Sequence, residues 1–312
     1  MSQFFEGETD DMPTLRQFEY LVAVADHRHF GKAAQAAAAS QPTLSHQLRT
    51  LEQRLGVTLV ERRTHGAELT PIGRDIAERA RHVLVEVKDI RDLAERASER
   101  LAGTLRFGVS PTLGPYLMPP VIAALHRSRP DLRFYMREGI PDLQAMELVK
   151  GAIDMLLGPL PIEGENLQIE PLFREPLILV APPDHVLAKA GKVKLTDLAG
   201  APVLSLDRRH HLHRDVAEQC QQHDMNLLRD YEGTSLDSVR QMVASGLGLA
   251  ILPELYARSE LSRGGDVALL DVEGWNVTRS IGAAWRTGAG FADEYDAIAQ
   301  RIADEARAML TV

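Results

Sequence analysis

The sequence predicts an α/β protein made of an N-terminal winged helix-turn-helix, a long connecting helix and a two-lobed α/β region. Three observations carry that prediction. Apolar residues recur at Leu44, Leu48, Leu51 and Leu55 with a helical period, directly after a short Ala-rich segment. A second helical pattern runs from Thr70-Pro71 to about Leu101, with Gly73 as its one glycine. From Thr104 onward, short β-rich runs alternate with amphipathic helices, the pattern of an α/β region with largely parallel sheets.

In the N-terminal region, Gly31 to Ala37 reads as a short helix, Ala38 to Ser40 as a tight turn and Gln41 to Leu55 as a second helix. Ser40 is placed to cap that second helix, and Pro42 lies in its first turn, where a missing N–H costs nothing. The face opposite the leucines presents Gln41, Pro42, Thr43, Ser45, His46 and Arg49, short polar groups of the kind that read base edges in a major groove. Beyond Gly56, Thr58 to Arg62 reads as a strand, Arg63-Thr64-His65-Gly66 as a basic tip and Ala67 to Thr70 as the returning strand of a wing. Between Arg28 and Gly66 six basic residues stand against two acidic ones, a net +4, the sign that phosphate binding requires. Arg62 and Arg63 are the expected phosphate contacts of the wing. The plainer alternative is ordinary helical core with a solvated hairpin.

Composition frames this reading. A chain of 312 residues, 45% hydrophobic and 25% charged, suits two or three globular domains. The whole carries −9, so the +4 segment leaves −13 elsewhere and confines the nucleic-acid surface to the N-terminal part. No apolar run is long enough for a bilayer span, and the acidic start MSQFFEGETDD does not look like a secretory signal, so a cytoplasmic protein is expected. A single cysteine, Cys220, excludes an internal disulfide. Residues 1–12 are expected to be a mobile extension, with Met12 as an alternative start.

On the long helix, Ile76, Ala80, Val83, Val87, Ile90, Ala94, Ala97 and Leu101 follow one another by threes and fours, the spacing of a two-helix seam, over roughly 45 Å at 1.5 Å per residue. Beyond it come strands in LRFGV, DLRFYMRE, AIDMLLG, EPLILVAP, PVLSL, LRDYEG, LGLAILP and RSIGAAWR. Helices are expected over Tyr116–His126, Leu143–Lys150, His210–His223, Ser235–Gly246 and Phe291–Leu310. The expected division is 1–70 for the winged head, 71–102 for the linker, and 103–312 for two lobes, one of 103–180 with 279–312 and one of 181–278.

Where strands deliver helix starts, small-ligand chemistry is expected. Ser110 after LRFGV reads as an N-cap, with Thr112 as a free hydroxyl beside unpaired backbone N–H groups, a setting that attracts anions. Thr234 and Ser235 repeat this in the second lobe, although Thr234 with Asp237 also fits a capping box.

The order of parts resembles the LysR-type transcriptional regulators, in FEYLVAVADHRHFGKAAQ, SQPTLSHQLRTLEQRLGVTLVER and LTPIGRDI, and the resemblance extends over nearly the whole chain after residue 12. It implies a dimerising linker helix, a homodimer or homotetramer on a dyad-related double-stranded operator, and a periplasmic-binding-protein-like effector domain. It also implies a small, anionic effector between the lobes, contacted by Ser110, Thr112, Ser205, Thr234 and Ser235. PTLGPYLMPPVI and TSLDSVRQMVASGLGLAILP look most like the family's OxyR-like, peroxide-sensing branch, which uses a peroxidatic and a resolving cysteine. Aligned without gaps, VLSLDRRHHLHRDVAEQC puts Cys220 at the resolving position but His211 at the peroxidatic one, where no sulfenic acid can form. Pro141 and Asp142 stand where that branch carries a Thr and a His. A redox response through Cys220 alone is the alternative reading.

Other chemistries fit less well. His210, His211, His213, Cys220 and His223 invite a metal, but His213 and Cys220 lie about two helical turns apart, roughly 10 Å, too far for one tetrahedral ion. Several neighbouring imidazoles also allow a pH response, which nothing in the sequence selects. There is no GxSxG elbow, P-loop or HExxH, and Gly246 and Gly248 alone make no dinucleotide site, so neither an enzyme nor a cofactor is expected.

Overall fold

The computed structural model describes residues 12–63, 66–97, 104–130, 132–261 and 265–311. Residues 1–11, the expected wing tip at Thr64-His65, and Leu101 lie outside the described residues. The chain divides into two compact units, 1–94 and 95–312.

In the first unit, α1 (Leu15–His27) begins with a capping box between Thr14 and Gln17 and ends at Arg28 in the left-handed region. α2 (Phe30–Ala36) is capped by His29, whose Nδ1 accepts the N–H groups of Gly31 and Lys32. α3 (Gln41–Leu55) starts on Ser40, as its sequence predicts, and closes at Gly56 with φ 67°, a conformation glycine adopts without strain. The apolar stripes of the three helices, with Leu21, Val24, Ala33, Leu44, Leu48 and Leu51 buried, make one core. β1 (Val60–Arg63) and β2 (Gly66–Leu69) form an antiparallel wing that pairs Arg63 with Gly66. Arg63 and Gly66 therefore belong to the strands rather than to the tip, because the ladder extends one residue further on each side than the charge pattern suggested.

Two charges counted toward the DNA surface are used internally. The Glu52 carboxylate accepts the N–H groups of Leu59 (2.8 Å) and Val60 (3.0 Å), tying α3 to the wing. Arg54 donates to the Met12 carbonyl at 2.8 Å, so Met12 is held by the head rather than belonging to a mobile extension.

α4 (Pro71–Ala97) follows, with the Thr70 hydroxyl accepting the Gly73 N–H. A Cβ at Gly73 would stand 2.1 Å from the Leu59 carbonyl oxygen, so α4 can cross the start of the wing only at a glycine. Arg81 makes a bidentate pair with Asp26 of α1, at 2.6 and 3.0 Å. The predicted seam is divided in use. Ile76 and Ala77 pack into the head core, whereas Val83 and Ile90 stay exposed.

The second unit runs β3 (Thr104–Val109), α5 (Gly114–Ser128), β4 (Arg133–Glu138), α6 (Pro141–Val149), β5 (Met155–Pro159), β6 (Leu167–Ala181), α7 (Val186–Lys189), β7 (Lys192–Lys194), a 3₁₀ turn (Leu195–Leu198) and β8 (Pro202–Leu206). It continues through α8 (His211–Gln222), β9 (Asn226–Gly233), α9 (Leu236–Ala244), β10 (Leu249–Pro253), α10 (Glu254–Glu260), β11 (Ala268–Leu269), β12 (Asp271–Glu273), β13 (Thr278–Arg286) and α11 (Ala292–Thr311). The main sheet has the order β4-β3-β5-β13-β6-β10-β8-β9. β3 is parallel to β4 and β5, and β8 is parallel to β9 and β10.

β6 joins the two halves of the sheet. Leu167–Pro176 pairs with β13 in the first lobe, and Leu177–Val180 pairs with β10 in the second. The strand's partner changes between Pro176 and Leu177, and the expected strand EPLILVAP is only the second half of this 15-residue strand. Phe107, Leu117, Met155, Trp285 and Ile302 lie in the first core, and Leu179, Leu204, Val216 and Ile251 in the second. Tyr116 packs against both, and Leu255 of α10, though it follows a second-lobe strand, is buried in the first-lobe core.

Candidate functional site

On the head, Gln41, Pro42, Thr43, His46 and Arg49 are exposed and Ser45 is half-buried. Pro42, His46 and Arg49 lie on the side of α3 away from the buried leucines, whereas Gln41, three and seven residues before Leu44 and Leu48, lies on the leucine side, contrary to the sequence expectation. The face shared by Pro42, His46 and Arg49 follows from the 3.6-residue period. The Thr43 hydroxyl lies 2.7 Å from the Ser40 Oγ and the Thr43 N–H donates to that same oxygen, so Thr43 is also part of the helix cap. The backbones of Arg62 and Arg63 lie on β1. The two groups of residues should fail differently. Replacing Arg62 and Arg63 together by Ala is expected to weaken binding to all DNA sequences alike and to lower the salt slope by roughly one unit per lost phosphate contact. Replacing His46 or Gln41 should instead change which sequence is preferred. Fluorescence anisotropy on specific and scrambled duplexes at several salt concentrations separates the outcomes, and equal loss of specificity from both groups refutes the assignment.

In the second unit, the polar centre of the interlobe region is a network that the sequence did not reveal. Glu175 on β6 and Arg279 on β13 form a buried ion pair at 2.8 Å, with side-chain exposures of 0% and 2%. Arg279 also donates to the Thr112 hydroxyl (2.8 Å) and the Thr112 carbonyl (3.2 Å), while Glu175 accepts the Leu255 N–H at 3.0 Å. Burial pushes the Glu175 carboxyl up, against the opposing pull of Arg279 and of the Leu255 N–H. The Ser110 and Thr112 hydroxyls are bonded to each other at 3.0 Å, and both residues are buried.

This geometry differs from the expected helix start. Thr112 is not a free hydroxyl, and Ser110 is not the N-cap of α5, which starts on Leu113 with no side-chain cap. The Ser110 N–H donates to Leu157, Thr112 N–H to the Ser110 Oγ, Leu113 and Gly114 N–H to the Ser110 carbonyl, and Tyr116 N–H to Leu113, while Pro111 and Pro115 have none. A Cβ on Gly114 would meet a Glu138 carboxylate oxygen at 3.1 Å, so an acidic group already sits against that helix start. In the second lobe Thr234 and Ser235 are exposed, and the cap of α9 is Ser235, which accepts the Ser238 N–H, not Thr234. Asp237 does not complete a capping box, since it accepts from the Tyr256 hydroxyl at 2.9 Å. Ser205, at the end of β8, is buried with its Oγ unpartnered.

His211 and Asp142, 69 residues apart in the chain, are brought together. His211 at the start of α8 places Nε2 2.6 Å from Asp142 Oδ1 on α6, a contact from one lobe to the other. His213 is anchored to the Leu206 carbonyl at 2.8 Å, and the His223 ring lies 5.6 Å from that of Trp275. Among the described residues no three His, Cys, Asp or Glu side chains gather as a metal-ligand set. Cys220 is buried among the second-lobe core residues, at 4% exposure, and desolvation pushes its thiol up to about 11.

A winged helix-turn-helix joined to a two-lobed α/β domain defines a ligand-responsive DNA-binding regulator. Residues 15–74 match the family of bacterial regulatory helix-turn-helix proteins of the lysR type, and residues 98–306 match the LysR substrate binding domain. The chain belongs to the LysR family of transcriptional regulators. It is 37% identical over 288 residues to the DNA-binding transcriptional dual regulator OxyR of Escherichia coli K12, covering 92% of this chain and 94% of that one. The hydrogen peroxide-inducible genes activator of Pectobacterium carotovorum is 38% identical over 288 residues, covering 92% and 95%. Among solved structures, a full-length OxyR from Pseudomonas aeruginosa, carrying a cysteine-to-aspartate substitution, matches with a TM-score of 0.72 at 32% identity, covering 93% and 94%. A cysteine-to-serine mutant of Corynebacterium glutamicum OxyR with bound H2O2 matches with a TM-score of 0.62 at 30% identity, covering 96% of each chain.

No helix among the described residues is long and apolar enough to cross a membrane.

Proposed function

We propose that this LysR-type regulator binds a dyad-related operator as an oligomer, and that a small molecule held between the lobes of its effector domain controls it without thiol–disulfide exchange. Cytoplasmic residence follows from its work on DNA. The expected contacts are Ser205 and Thr234, which have hydroxyls to offer, with Ser110, Thr112 and Ser235 as walls already committed to internal bonds. The observation that carries the reading is the state of Cys220. A thiol at about 11 is roughly one part in ten thousand ionised at neutral pH, and the thiolate is the reactive form. With His211 at the position aligned to a peroxidatic cysteine, no second thiol exists in the chain.

The rival reading draws on the relatives, several of which are named hydrogen peroxide-inducible activators. It makes the opposite demand of Cys220. Wild-type and Cys220→Ser protein are treated with peroxide while binding to DNA from the chain's own promoter region is followed. Both are expected to bind unchanged. If the wild type switches and Cys220→Ser does not, redox sensing replaces the effector reading.

A further inference from the structure

We infer that the effector is a small hydrogen-bond-donating cation of the ammonium type, received beside Asp215 and His211 of α8. The inference rests on reading the interlobe region as the effector site, and it assigns the chemical class that this site takes.

Among the described residues, α8 carries two buried acceptor oxygens without a partner, on Asp215 and Gln219. His211, 5% exposed, faces the Asp142 carboxylate through Nε2 at 2.6 Å. Its other ring nitrogen, Nδ1, is buried without a hydrogen-bond partner. Asp215 lies one turn further along α8, on the same helix face, and its Oδ2 is buried without a partner. One turn further still, buried Gln219 leaves Oε1 unpartnered. A buried acceptor without a donor costs free energy that a bound donor recovers.

The charges around this face point the same way. Glu138 at the end of β4, Asp142 in the first turn of α6 and Asp215 in the second turn of α8 contribute carboxylates. Of the groups that attract the Asp215 carboxylate, Arg279 is already paired with Glu175 and Thr112, and His211 faces Asp142. Arg209 is bound to Asp207, Arg208 is paired with Glu232, and Arg214 is exposed on the next face of the helix. An anion entering here would meet carboxylates and find the backbone donors of α5 consumed. A metal ion is a poor complement, because no three ligating side chains gather among the described residues. A primary ammonium supplies three N–H donors and a positive charge.

The test measures the melting temperature of the full-length chain with ethylammonium, 1,4-diammoniobutane or succinate at matched ionic strength. The ammonium probes at millimolar concentration are expected to raise it by about 2–4 °C, a shift lost in Asp215→Asn and kept in Ser245→Ala, at the far end of α9. Stabilisation by succinate and not by the amines overturns the assigned class while leaving an interlobe effector in place. An amine shift that survives in Asp215→Asn overturns the site, and no shift with any probe overturns the proposal outright. If Asp215→Asn does not fold, the amine-against-succinate comparison in the wild type decides. The peroxide experiment on Cys220 tests the parent reading independently.

Discussion

Replacing Glu175 by Ala is expected to destabilise the effector domain by ~3–5 kcal/mol, the usual cost of removing one partner from a buried ion pair. The substitution leaves the Arg279 guanidinium inside the protein without its counter-charge and strips the Leu255 N–H of its acceptor. The damage spreads because Arg279 also fixes Thr112 in the first lobe, and Leu255 belongs to a helix that follows a second-lobe strand but packs into the first-lobe core. Urea unfolding of the full chain, monitored by a signal from the buried Trp285, gives the loss directly. Glu175→Leu combined with Arg279→Met should recover most of it, since an apolar pair of similar volume leaves no unpaired charge. A loss below about 1 kcal/mol for Glu175→Ala would show that the pair contributes little.

The second large effect is expected at Ile90, which is 62% exposed on α4 and takes no part in the head core. Its exposure on a regular apolar stripe is explained by a partner helix, in keeping with the oligomeric action of LysR regulators. Ile90→Lys should dissociate the chain while leaving each head folded. With the two heads no longer tethered, operator affinity should fall by ~10²- to 10⁴-fold, the scale of a lost effective concentration. Sedimentation and anisotropy titration together measure both results. A monomeric Ile90→Lys protein with undiminished affinity would remove the bivalent model.

How far each part was legible in the sequence depended on how local its cause was. α3 runs over the predicted residues because Ser40, Pro42, the leucine period and Gly56 act within a few turns of one another. β8 matches PVLSL for the same reason, and the charge of the wing was visible as composition. The first half of β6 was missed, since LQIEPLFR mixes charged and apolar residues on a strand whose faces are only partly covered. α10 was missed as well. Its start is set by a carboxylate far away in the chain, through the bond from the Leu255 N–H to Glu175.

The candidate effector site shows the same division more sharply. The sequence alone determined the family, the amphipathic pattern of α3 and the presence of a single cysteine. Only the tertiary structure decided that His211 meets Asp142, that Thr112 is held by Arg279, and that Ser235, not Thr234, caps α9. Helical period, caps and composition are set by residues within a turn or two, and these a linear reading can see. Hydrogen-bond satisfaction is a sum over every donor and acceptor that the fold brings within about 3 Å, whatever their separation in the chain. Ser110 and Thr112 looked like open donors in the sequence because Arg279, the group that occupies Thr112, lies 167 residues away.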